Sequence, residues 1–313
     1  VAQRRETPHC RRETWPPLLQ NPAMQTELVW DCGCQLGEGA LWNAADASLY
    51  FVDIHGREVL AFTPSTGAKR RWAVPQKIGW IVPRAGGGWI AGFQQGLAAL
   101  TLEPDVRVEW LHLLHAADAP MRLNDAKTDA AGRLWFGSMH VDEVEPVGRF
   151  YRWVHGSAPV VVDEGYVVTN GPAFSPDGRT LYHTDSAAAT VYAFDVSAHG
   201  ALSRKRTFAE FGPYQGFPDG MTTDAAGHLW VAHWAGSRVT ERDVSGQVLK
   251  TLVVPAPHVT NVAFGGPELT DLYITTARHK LTDSALAQSP LSGGLFVARG
   301  VGLGRSPGVF AGG

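Results

Sequence analysis

The chain has no long apolar run. None of its 313 residues belongs to a stretch near the roughly 18 apolar residues that a spanning helix needs, so no membrane partner is expected. Charge is sparse as well: 18% of residues are Asp, Glu, Lys or Arg, and the formal net charge is -3. No basic stripe stands out beyond the N-terminus, which argues against nucleic acid as a partner. Cysteine is limited to Cys10, Cys32 and Cys34, too few for a disulfide framework. Cys32-Gly33-Cys34 lacks the second pair that would complete a metal site, so it reads as two reduced thiols. A reducing, cytoplasmic compartment is the simpler expectation. Helical periodicity is missing too: no segment repeats apolar residues every 3.6 positions over a helical length.

Familiar catalytic and binding signatures are also absent. There is no Gly-x-Ser-x-Gly and no His-Glu-x-x-His. Lys69 follows Thr66-Gly67-Ala68 without the full phosphate-loop pattern, and Gly300, Gly302 and Gly304 precede no helix that could bind a dinucleotide. Asp129, Asp177 and Asp224 stand shortly before glycines, but EF-hand spacing is missing and they read as turn residues. Residues 1–24 mix Arg4, Arg5, Arg11 and Arg12 with prolines and hold no apolar segment, so they do not read as a secretory signal. They are expected to form a disordered extension ahead of a single domain spanning 25–313.

What the chain does have is glycine, tryptophan and a repeat. The 35 glycines suit a chain that turns often, and the 11 tryptophans suit broad sheets packed face to face. Thr128-Asp129-Ala130-Ala131-Gly132-Arg133-Leu134-Trp135-Phe136-Gly137 returns as Thr223-Asp224-Ala225-Ala226-Gly227-His228-Leu229-Trp230-Val231-Ala232. Six units can be drawn, starting near residues 38, 79, 124, 170, 219 and 261, which lie 41, 45, 46, 49 and 42 residues apart. Each unit reads as short β-branched or aromatic runs bounded by Gly, Asp, Asn or Pro. Such units cannot bury their faces alone. A six-bladed, all-β propeller is the expected fold; a solenoid would need polar capping repeats, which are not evident. Leu28-Val29-Trp30 and Leu295-Phe296-Val297 are the strands expected to close the ring.

Innermost strands of a propeller begin at one end of a central channel, so equivalent blade starts meet although they are distant in sequence. Blade one offers Glu38, blade three Arg122 and Asn124-Asp125, blade four Asn170 and blade five Asp219. Two carboxylates and an amide oxygen directed at one point form a hard, all-oxygen cation site. Glycines follow at once (Gly39, Gly171, Gly220) and are expected to keep the mouth clear. Asn-Gly and Asp-Gly are also ordinary turn dipeptides; their equivalence across three blades is what favours a site.

The segments Leu36-Gly37-Glu38-Gly39-Ala40-Leu41-Trp42, Arg122-Leu123-Asn124-Asp125, Gly137-Ser138-Met139, Asn170-Gly171-Pro172-Ala173-Phe174-Ser175-Pro176-Asp177-Gly178 and Pro218-Asp219-Gly220-Met221 carry a resemblance. In this order they resemble the signature segments of the gluconolactonase/regucalcin (senescence-marker protein) family of sugar lactonases, from about residue 27 to the C-terminus. The resemblance implies a six-bladed propeller holding one divalent cation through Glu38, Asn170 and Asp219. It also implies that Asn124 contacts substrate or a bound water and that Arg122 holds substrate oxygens. Ala126 stands where glycine is common and Ser138 where threonine is frequent; neither touches a proposed ligand. The expected reaction is hydrolysis of a sugar lactone, with Asp219 as general base or the cation itself activating water. The cation is left open among Ca, Mg, Mn, Fe(II) and Zn, and so are the sugar and the oligomeric state. His140, His183 and His233, with Arg122, suggest a cationic mouth, and His140 is taken as a substrate-binding candidate. The alternatives are a propeller phosphotriesterase or arylesterase using a similar cation, and a non-catalytic calcium-binding propeller.

Overall fold

The computed structural model of the chain describes residues 26–312. The stretch 1–24, with Cys10, lies outside the described residues. Among those described, 24 strands pair into six four-stranded antiparallel sheets. The innermost strands are Gly37–Asn43, Ile78–Pro83, Met121–Thr128, Thr169–Phe174, Phe217–Thr223 and His258–Gly265. They lie side by side around one axis, the first packing against the sixth. The molecule is a six-bladed β-propeller, and each blade start expected from sequence falls in one of these strands. Closure is also as expected: blade six takes Leu295–Ala298 as its third strand and Glu27–Trp30 as its fourth, with Glu27 opposite Val297 and Leu28 opposite Phe296.

The repeated aspartates explain how a blade turn is tied to its core. Asp129 accepts from the backbone N–H groups of Ala131 and Arg133, and its other oxygen accepts from Trp135 Nε1 at 2.8 Å. Asp224 does the same for the His228 N–H and for Trp230 Nε1 at 3.0 Å. Both indoles are fully buried, so the carboxylate removes the cost of an unpaired donor in the core. These aspartates are turn residues, as is Asp177, which holds the Ser175 hydroxyl and the Arg179 N–H. One short helix, Asp283–Gln288, lies in the blade-six connection with no buried side chain. A helix that short and that exposed has no apolar period to show in sequence.

Every inner strand slips register against its neighbour at about the same depth. The shifts fall between Glu38 and Leu41, Ile78 and Trp80, Asn124 and Ala126, Asn170 and Ala173, Pro218 and Met221, and Val259 and Asn261. A bulge re-aims the side chain it carries. Six of them form a ring of bulges from which the blade-start side chains are presented. The glycines expected to keep the mouth clear serve these bulges instead. Gly171 has φ +73°, and a Cβ there would come within 2.3 Å of Met221 Cε in the next blade. Gly39, at φ +60°, faces Gly79 O and Trp80 Cα of blade two at 3.2 Å. Their task is to let adjacent inner strands approach.

At the opposite end of the axis, residues 301–312 run across the blades as a strap. Val301 N–H donates to Thr270 O and Gly304 N–H to Leu269 O in blade six, while Leu303 O accepts from Ala225 in blade five. Arg305 donates to Ser175 O and Pro176 O in blade four. Ala311 N–H reaches Gly132 O in blade three, and Phe310 N–H reaches Pro83 O in blade two. Gly304, from the run that carries no dinucleotide signature, belongs here: a Cβ on it would strike Phe264 at 2.1 Å, as one on Gly308 would strike Thr128 O at 2.3 Å.

Candidate functional site

Glu38, Arg122, Asn124, Asn170 and Asp219 come together in the lining of one cavity of about 210 Å³, at the end where the inner strands begin. All five are buried. The cavity wall also includes Phe217 and Trp234, the latter stacked on His258 with ring centroids 3.9 Å apart. Glu143 and Lys280, which sequence reasoning missed, line it as well and form an ion pair from blade three to blade six, opposite each other in the ring. His140 is not among the lining residues. It ends the second strand of blade three, where its Nδ1 accepts from the Asp142 N–H at 3.1 Å. The cationic mouth is corrected in part. His183 is buried between Phe150 and Tyr166, and burial pushes it down to about 3. His233 is tied to Gln215 O and Thr240 Oγ1, with burial pushing it to about 4. Both are neutral packing groups at physiological pH.

Asn124 organises the floor. Its Nδ2 donates to Thr169 O at 2.6 Å and to Asn170 Oδ1 at 2.8 Å, and its Oδ1 accepts from the Arg122 guanidinium. Asn170 Nδ2 donates to Ser186 Oγ at 2.8 Å, and that hydroxyl donates to Pro218 O at 2.6 Å. This relay fixes the Asn170 amide and leaves its oxygen one lone pair to offer. Glu38 Oε2 accepts from the Gly39 N–H and from Asn261 Nδ2, both at 3.0 Å, and the same amide reaches Asp125 Oδ2 at 3.2 Å. Asn261 is the blade-six counterpart of Glu38 and Asp219. Applying the blade-start rule to the sixth unit finds it.

Three carboxylates share this buried region. Burial, then the nearby Asp125, pushes Glu38 up to about 7. Burial lifts Asp125 to about 6, against the pull of Lys127. Burial, followed by Glu38, Asp125 and Glu143, raises Asp219 well above the carboxylate range. Arg122 is held below its usual range by burial, with Glu143 and Glu38 opposing. Asp219 Oδ1 is buried and accepts no hydrogen bond among the described residues. An orphaned carboxylate oxygen beside a second carboxylate and a fixed amide oxygen is the donor set of a hard cation. Glu38, Asn170 and Asp219 therefore fit one divalent ion. A second cluster, Asp224, His228 and Glu241, is already tied up within the protein: His228 Nδ1 meets Glu241 Oε1 at 2.8 Å, Lys250 Nζ meets Glu241 Oε2 at 3.2 Å, and Asp224 holds the His228 N–H and the Trp230 indole.

The chain is similar to proteins with this architecture. A pentonolactonase of Haloferax volcanii is 36% identical over 256 residues, covering 81% of this chain and 86% of that one. Regucalcin of Oryctolagus cuniculus is 32% identical over 289 residues, covering 90% and 96%. The crystal structure of a calcium-binding protein, regucalcin from Agrobacterium tumefaciens, superimposes with a TM-score of 0.86 at 25% identity, covering 90% and 96%. Residues 36–278 match the SMP-30/Gluconolactonase/LRE-like region. With that match spanning the ring of inner strands, the chain belongs to the SMP-30/gluconolactonase/LRE-like family.

Proposed function

We propose that the chain hydrolyses a sugar lactone to its acid, with a divalent cation held by Glu38, Asn170 and Asp219. The observation that carries this reading is the convergence, in one cavity, of an oxygen donor set with Arg122 and Asn124. When bound, the cation supplies electrophilic stabilisation of charge developing on the lactone carbonyl oxygen. The rest is the work of side chains. Arg122 spends one guanidinium nitrogen on Asn124 and lies 3.9 Å from Glu143 with another, keeping donors for substrate oxygens. Asn124 orients Asn170 and shares the floor against which the ring oxygens rest. Trp234, immobilised on His258, offers an apolar face to the sugar ring. Asp219 is also the residue that takes the proton of the attacking water in this reading, through the carboxylate oxygen that the cation leaves free. A relative named pentonolactonase supports the lactone class, and relatives named regucalcin, one described as calcium-binding, make calcium the first ion to try.

The test is proton release from a panel of pentono- and hexonolactones added to chelator-stripped protein, repeated after each divalent cation is restored. Metal-dependent acid production is expected. Silence across the panel with the ion demonstrably bound overturns the reading and turns attention to aryl esters and phosphotriesters.

A further inference from the structure

Beside the proposed cation ligands, the inner strand of blade six sets one amide against two carboxylates. Asn261 is fully buried, and its Oδ1 accepts from the Val262 N–H at 2.9 Å, which fixes which way round the amide lies. Its Nδ2 is left to the carboxylates and divides its two donors between them, Glu38 Oε2 at 3.0 Å and Asp125 Oδ2 at 3.2 Å. The amide rests on the backbone of Gly220, where a Cβ would lie 2.2 Å from Nδ2. Asp125 is held in turn: its Oδ1 accepts from the Ala126 N–H at 2.9 Å, and the N–H of Gly171 also lies against it. Asn261 and Asp125 together therefore touch Glu38 itself and the glycines that follow Asn170 and Asp219.

Two buried carboxylates this close repel, and each needs a donor. A neutral amide supplies one without the positive charge of Lys or Arg, which would repel a bound cation. Glu38 Oε2 is occupied by Asn261 and by the Gly39 N–H, while Glu38 Oε1 accepts no hydrogen bond among the described residues. One oxygen is anchored and the other is left to offer. We infer that Asn261 is a positioning residue for the cation, holding the Glu38 carboxylate by Oε2 so that Oε1 is presented to the ion. The inference rests on the reading of Glu38 as a ligand. Asn261 is not among the residues lining the cavity, so it acts through Glu38 and touches neither ion nor substrate. Outer partners of this kind fix a ligand's orientation, and their loss commonly weakens metal binding by about tenfold or more.

The experiment is calorimetric titration of the full, chelator-stripped chain with calcium, and with manganese where calcium gives no heat. The native chain is expected to bind one ion. Asn261→Leu fills the same space without the donors, and it should still bind one ion per chain with Kd raised about tenfold. A merely structural role gives the opposite split, a stoichiometry below one at an unchanged Kd, and overturns the inference. Thr223→Val is the control for lost stability: it removes the buried hydrogen bond to Phe174 O, 2.6 Å long, at the far end of the blade-five inner strand. Its Kd should match the native value, and weakening equal to that of Asn261→Leu also overturns the inference. Should Asn261→Leu fail to fold, Asn261→Ser, too short to reach either carboxylate, carries the same test. Its Kd should rise at least about threefold, and an unchanged Kd there counts as failure. Binding of neither ion by the native chain overturns the cation reading and this inference together, which tells the two failures apart.

Discussion

At Asp219 a buried carboxylate oxygen has no partner among the described residues and feels the charge of Glu38. Replacing Asp219 by Asn should act in opposite directions on function and on stability. Turnover should be abolished and cation binding weakened, because a ligand and a base are lost together. The cation-free protein should gain about 1–2 kcal/mol, the usual yield of relieving an active-site conflict. Lactone hydrolysis and urea midpoints in chelator measure the two; near-normal hydrolysis in Asp219→Asn would sink the base assignment. His183 makes a second case at this scale. Its folded pKa is pushed to about 3 by burial, against an unfolded value near 6.5, and both ring nitrogens lack partners. The unfolded chain thus takes up a proton that the folded one refuses. Stability from this group is complete above about pH 6.5 and falls, at up to about 1.4 kcal/mol per pH unit, as pH drops toward 3. His183→Phe should flatten that acid slope by one proton in urea titrations at successive pH values; an unchanged slope would mean another group carries it.

Among elements, the inner strands decide the site, and their bulges set the geometry. Gly171→Ala places a methyl within 2.3 Å of Met221 Cε at a left-handed φ of +73°. Gly67 has nearly the same φ, +72°, with nothing within 4 Å of a Cβ. Gly67→Ala should therefore cost only the backbone term of about 1–2 kcal/mol, whereas Gly171→Ala adds about 1–3 kcal/mol of crowding. Only Gly171→Ala should also weaken cation binding, since Asn170 sits in the same bulge. Equal costs in chemical denaturation would show that the close approach to Met221 is easily relieved. The inner strands were also the most legible part of the chain. Turn aspartates bonded to tryptophan indoles print a regular Asp-x-x-Gly-x-x-Trp spacing on two blades, and blade starts inherit that phase. Glu38, Asn124, Asn170 and Asp219 could be placed for that reason. Glu143 and Lys280 could not, because they sit in connections outside the repeat and meet only across the mouth. His140 follows the Gly137-Ser138-Met139 segment on the second strand of blade three, outside the cavity lining, and its ring nitrogen serves a local turn. Gly79 holds the blade-two start without a side chain, so that blade contributes nothing to the donor set.

For the whole molecule, the proposed cation joins blades one, four and five through single side chains. An ion that binds only the closed ring stabilises it by mass action, about 2.7 kcal/mol at a hundredfold excess over its Kd. Melting with and without chelator should show this shift for the native chain and lose most of it in Asp219→Asn. A metal-dependent shift that persists there would move the ion elsewhere. The seam in blade six is where the ring itself is held. Removing Glu27–Trp30 exposes Leu295–Ala298 as a bare edge strand, and such a chain should unfold at markedly lower urea and self-associate. A midpoint unchanged from the full chain would show that the seam is dispensable. The same seam has a consequence for the order of manufacture. The ribosome releases Glu27 long before Val297, its partner. At about 5–20 residues per second, that strand waits tens of seconds with its hydrogen bonds unanswered. The nascent protein is an open arc with two sticky ends until the last blade emerges, so crowding on a polysome favours joining neighbours in place of closing on itself.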